Sequence, residues 1–96
     1  MSTLNQPNRK AVMDAWTFVH TKVQNKLGHS VAPLYPVVQA LIDAGAPQDI
    51  IDDVTLLYND MLSASRGDQY PAVPTEVVTR SQATATKAGG AIDAAP

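Results

Sequence analysis

Residues 68–96 read DQYPAVPTEVVTRSQATATKAGGAIDAAP, and their large apolar side chains are Tyr70, Val73, Val77, Val78 and Ile92. Burying so few does not offset the conformational entropy of ordering a stretch this long. The segment is therefore expected to be an extended, low-complexity tail, disordered unless another surface binds it. That leaves residues 1–67 to build the folded domain, and this division limits every other expectation about the chain.

A domain of that size buries only ~60% of the surface its unfolded chain exposes. The sequence contains no cysteine, so a disulfide is excluded as a staple and thiolate chemistry as a function. Helix packing and association with other subunits are the remaining sources of stability. No apolar run approaches the ~18–20 residues needed to span a bilayer. The opening MSTLNQPNRK lacks the apolar stretch of a signal peptide. A soluble protein, cytoplasmic as synthesised and with no membrane partner, is expected.

The net charge is −2, but it is unevenly distributed. Residues 1–28 hold Arg9, Lys10, Lys22 and Lys26 against Asp14, a net +3. Residues 29–68 hold Arg66 against Asp43, Asp49, Asp52, Asp53, Asp60 and Asp68, a net −5. The basic and acidic segments are expected to face each other inside one bundle. The same pattern suits head-to-tail contact between copies.

Three helices are predicted. The first, about 8–27, carries Val12, Trp16, Val19 and Val23 at spacings of four, three and four, one apolar stripe. Ala11, Ala15 and Leu27 widen it. Asn5 or Asn8 is the cap, and Gly28 the left-handed terminator. The second, about 34–44, has Leu34, Val37, Val38, Leu41 and Ile42 on one face, Pro36 at its first turn and Gly45 at its end. The third, about 47–64, starts at Pro47 with the stripe Ile50, Val54, Leu57, Tyr58 and Met61. The fold class is all-α, a small three-helix bundle followed by the tail. Within the tail, Glu76 to Arg80 has short β propensity.

The segment VVQALIDAGAPQDIIDDV has the outline of a helix-turn-helix. Its second helix, however, opens on Asp49, Asp52 and Asp53, which repel phosphates, and it has no Lys or Arg to neutralise them. Nucleic acid is not the expected partner. The same aspartates lack the alternating ligands, turn glycine and closing Glu of an EF-hand loop. They are read as surface carboxylates favoured by the helix dipole, and as an acidic docking patch for a basic partner. His20 and His29 have no third histidine or cysteine, so no metal site is expected. His29 is placed to bond the last free carbonyls of the first helix. Gly89-Gly90 is not followed by Lys and makes no phosphate loop. No serine is framed by glycines or paired with a base. The chain is read as non-enzymatic, without cofactor or metal.

Aromatic residues supply the remaining candidates. Tyr58 lies on a core stripe. Phe18 falls off the main stripe of the first helix and is either a flank of the core or an exposed anchor. Tyr35, between Pro33 and Pro36, is either a surface anchor or a core cap.

A minimal helical domain followed by an Ala/Thr/Gly/Pro-rich tail is similar in style to small accessory proteins of tailed-phage particles. The tail points to a non-enzymatic assembly protein, and the resemblance would make it a cement, connector or scaffold-type component, incorporated into a virion. The helical domain would dock and the tail would wrap or insert into neighbouring subunits, in a homo-oligomer or a larger hetero-assembly. Tyr70, Val73, Val77 and Val78 would be the tail anchors and Arg80 a polar lock. Deleting residues 69–96 should then leave the helices intact. The alternative is a small cytosolic regulatory binder or inhibitor acting through the bundle. A nucleic-acid-binding module is the least favoured reading.

Overall fold

The structure, a computed structural model, describes residues 6–66 and 73–95. All regular structure among them is helical: α1 (Gln6–Leu27), α2 (Tyr35–Asp43), α3 (Gln48–Ser65) and α4 (Thr75–Ala94). The chain is therefore all-α, as its periodicity implies, but with four helices instead of three.

α1 is the central element. Its stripe is buried as expected, with Val12, Val19 and Val23 at 0% exposure and Trp16 at 4%. The indole meets Tyr58 of α3 edge-on, with centroids 5.0 Å apart, and stacks on His20 at 5.9 Å. Val37 and Leu41 of α2 and Ile51, Val54 and Leu57 of α3 complete the interior. The β-branched and leucine side chains interlock because each helix presents them at spacings of three and four.

The turns follow the chain's glycines. Gly28 (φ 81°) and Gly45 (φ 76°) both take the left-handed conformation. At Gly45 the amide of Ala46 donates to Leu41 and that of Gly45 to Ile42, both at 3.0 Å. This is a Schellman closure of α2. The α1–α2 loop is held at one residue. The amide of Val31 donates to Gln24 Oε1 at 3.1 Å, and its carbonyl accepts from His20 Nε2 at 3.2 Å. His29 Nδ1 donates to the Ser30 carbonyl at 2.9 Å, a partner in the loop and not among the carbonyls of α1.

α4 corrects the expectation of an extended tail. Residues 75–94 are helical and pack mainly on α1 and also on α3. Ser81, Thr84, Ala85, Ala88, Gly89 and Ile92 are buried. They recur at spacings of three and one, which is a single helical face. Small side chains let two helix backbones approach closely, so contact comes from the backbone and from the larger side chains opposite. Counting only large apolar residues misses this source of cohesion. Glu76 to Arg80 are not a strand. Pro74 takes the N-cap position, and Glu76 sits in the first turn, where the helix dipole favours a carboxylate.

Polar contacts from four side chains set the register of this segment. Asn8 Nδ2 donates to the Val73 carbonyl at 2.9 Å. Arg80 Nη2 reaches Asp60 Oδ2 at 2.6 Å, and Lys22 Nζ reaches Asp93 Oδ2 at 2.8 Å. Lys26 Nζ donates to the carbonyls of Ile92 (3.4 Å) and Ala95 (3.2 Å), placing a cation at the negative end of α4. Arg9, 6% exposed, does the same for α3 by donating from Nη1 to the Ala64 carbonyl at 3.3 Å.

The charge asymmetry is thus resolved differently from expectation. Lys10 pairs with Asp14 of its own helix, while Lys22 and Lys26 turn to α4. Among the described residues, no Lys or Arg pairs with Asp43, Asp49, Asp52 or Asp53. The acidic segment keeps its field.

Candidate functional site

α2 is nine residues long and has more apolar side chains than one face holds. Val37 and Leu41 point inward and are fully buried. Tyr35 and Ile42, seven positions apart, share the outward face and are 75% and 53% exposed. Leu27, at the end of α1, is 48% exposed and shares a groove with Tyr35. Leu27, Tyr35, Pro36, Gln39, Ala40 and Asp43 line a groove of about 240 Å³. Gln39 Nε2 donates to Asp43 Oδ1 at 2.9 Å, closing one rim.

This face corrects two expectations. The helical stripes place Leu27 and Ile42 on core faces, yet both are exposed. Gly28 turns the chain away just after Leu27, so nothing closes over it. Ile42 sits one position past the face that Leu41 buries. The signal for this surface was present in YPVVQALID: apolar residues occupy opposite sides of one short helix.

Tyr35 is a surface residue, not a core cap. Pro36 follows it within the first helical turn, so the backbone there is stiff and the ring is presented at low entropic cost. Asp49 and Asp52 are exposed, and Asp53 is half-buried, all in the first two turns of α3. Gln48 Nε2 donates to Asp52 Oδ1 at 2.9 Å, and Asp49 Oδ1 accepts the Ile50 amide at 3.0 Å. Leu56, 40% exposed, follows on the same outer face.

The proposed tail anchors are placed against their own chain. Val73 is buried, and Val77 and Val78 are half-buried against the core. Arg80 is locked to Asp60. Tyr70 lies outside the described residues.

Phe18 combines both readings offered for it. It is 48% exposed, and one edge lies on Gly89 while Lys22 Nζ sits 4.9 Å from the ring centroid. Shallow depressions flank it along α1 and α4, one of about 370 Å³ lined partly by Ala85 and Thr86 and another of about 480 Å³ lined partly by Thr17 and Thr21. Their walls mix Phe18 with polar and charged side chains and are more polar than the α1–α2 groove.

No group of three or more His, Cys, Asp or Glu able to hold a metal forms among the described residues. No described helix is long and apolar enough to cross a membrane. The arrangement therefore defines an all-α domain with an apolar groove beside an acidic helix start. No family model, characterised protein or solved structure matches the chain.

Proposed function

We propose that the protein is a non-enzymatic interaction module that docks a partner protein through the face formed by Leu27, Tyr35, Pro36 and Ile42. The observation that carries this is Tyr35, three-quarters exposed on a proline-stiffened turn at the edge of an apolar groove. Rigid aromatic side chains next to a groove supply binding energy with little ordering cost. Since residues 75–94 lie on their own chain, docking through the bundle replaces wrapping by a tail as the mode of attachment. Membership of a larger assembly and action as a small regulatory binder both remain compatible with that mode.

The test is site-specific photo-crosslinking in the cells that make the protein. A crosslinker at position 35 should yield one discrete adduct. The same group at Asn59, exposed on α3, should yield none. Equal adducts from both positions, or none from position 35, would defeat the proposal. The mass of the purified chain by light scattering separates the two settings. A multiple of 10.2 kDa that Tyr35→Ala reduces to the monomer means self-assembly through this face.

A further inference from the structure

The charge around the groove indicates what it takes. Between Lys26 and Arg66 the chain has no Lys or Arg, and it carries Asp43, Asp49, Asp52, Asp53 and Asp60. Asp60 is neutralised by Arg80; the other four have no cation among the described residues. Asp43 lies in the groove wall itself, and Asp49 follows one tight turn later at the start of α3. Lys26, the nearest cation in sequence, is drawn to the end of α4 by the carbonyls of Ile92 and Ala95. The charged side chain in the groove wall is therefore an aspartate, and the next helix opens on three more.

We infer that the occupant of this groove is a cationic amphipathic segment of a different protein, with an apolar side chain seated between Leu27 and Tyr35 and Lys or Arg facing Asp43 and Asp49. This rests on the docking proposal above and names the partner's chemistry. A second copy is a poor occupant, because Lys10, Lys22 and Arg80 are already paired, Lys26 is held by the carbonyls of Ile92 and Ala95, Arg9 is buried, and Lys87 on α4 is a single exposed cation instead of the row that a basic amphipathic segment presents. Nucleic acid and anionic lipid are repelled by the same aspartates that attract a basic segment. Opposite charge around an apolar centre raises the association rate and rejects wrong partners, while the apolar contact supplies holding energy.

The experiment titrates the full-length protein, labelled with ¹⁵N, with three short helical peptides that share one leucine stripe. Their polar positions are all Lys, all Gln or all Glu. The Lys peptide should shift the amides of Leu27, Tyr35, Ile42 and Asp43 saturably, binding about tenfold tighter than the Gln peptide at low salt and losing most of that margin at high salt. Asp43→Asn should reduce the Lys peptide's affinity by roughly threefold and leave the Gln peptide's unchanged. Tyr35→Ala should weaken both. Equal binding of the Lys, Gln and Glu peptides at this face would overturn the inferred charge while leaving the docking face intact. Absence of saturable shifts there with all three would overturn the docking face itself. Self-association that broadens these resonances without peptide would name a second copy as the occupant and overturn the inference.

Discussion

The ring of Phe18 rests directly on the backbone of Gly89. A Cβ at Gly89 would stand 2.8 Å from Phe18 Cε2 and 3.1 Å from Lys22 Cε. Gly90, its neighbour, is exposed and has nothing within 4 Å of the same position. Two adjacent glycines thus have different roles in one helix.

Gly90→Ala is expected to stabilise the protein by about 1 kcal/mol, the usual difference in helix propensity. That corresponds to a rise in Tm of about 4–8 °C for a domain of this size. Gly89→Ala gains the same propensity but must push the Phe18 ring and the Lys22 stem outward. Its benefit should be smaller than that of Gly90→Ala. Thermal melts of both variants alone and in a Phe18→Ala background check this. Equal melting temperatures for the two glycine variants in the wild-type background would refute the contact.

Ser81 is 1% exposed, and its Oγ has no hydrogen-bond partner among the described residues. A buried hydroxyl in that state loses its hydration without compensation. Ser81→Ala is expected to raise stability by about 1 kcal/mol, read by urea denaturation. A destabilising effect of that size would show that the hydroxyl has a role in the fold.

α4 should open more easily than α3. Its buried face has one large side chain, Ile92, among small ones, whereas α3 buries Ile51, Val54 and Leu57. Hydrogen exchange of the full chain should show the amides near Ala88 less protected than those near Val54. Equal protection throughout would mean the two helices open only with global unfolding.

Removing residues 69–96 is expected to destabilise the remaining chain, the reverse of what a loose tail predicts. α4 covers α1 over most of its length, and the truncation also takes away the partners of Lys22 and Lys26. Trp16 fluorescence reports the outcome, because its indole is 4% exposed beside Tyr58. A truncated chain with native emission and an unchanged denaturation midpoint would show that α4 contributes nothing to the core.

Tyr35→Ala should leave stability within about 0.5 kcal/mol, as exposed positions usually do. It should at the same time abolish the crosslink and weaken the peptide binding described above. A large loss of stability would place Tyr35 in the fold instead of in recognition.

Local pattern made three helices legible in the sequence. The Val12, Trp16, Val19 and Val23 stripe, the Pro36 start and the glycines at 28 and 45 each act through contacts a few residues apart, so spacing alone reveals them. The acidic aspartates and the stiff setting of Tyr35 were legible for the same reason. Leu27 and Ile42 were not, since whether an apolar residue is covered depends on which element arrives opposite it. α4 is the clearest case. Ser81, Thr84, Ala85, Ala88 and Gly89 are too small to hold a helix by their own burial, and only the approach of α1, with Phe18, Lys22 and Lys26 positioned to meet them, turns that stripe into a packed surface. By itself, then, the sequence determined the helical class, the ends of the first helices and the charge imbalance, all local properties. The tertiary structure decided that the last segment is a helix and which apolar side chains remain outside, because close backbone packing is a property of two partners and neither strand of sequence contains it alone.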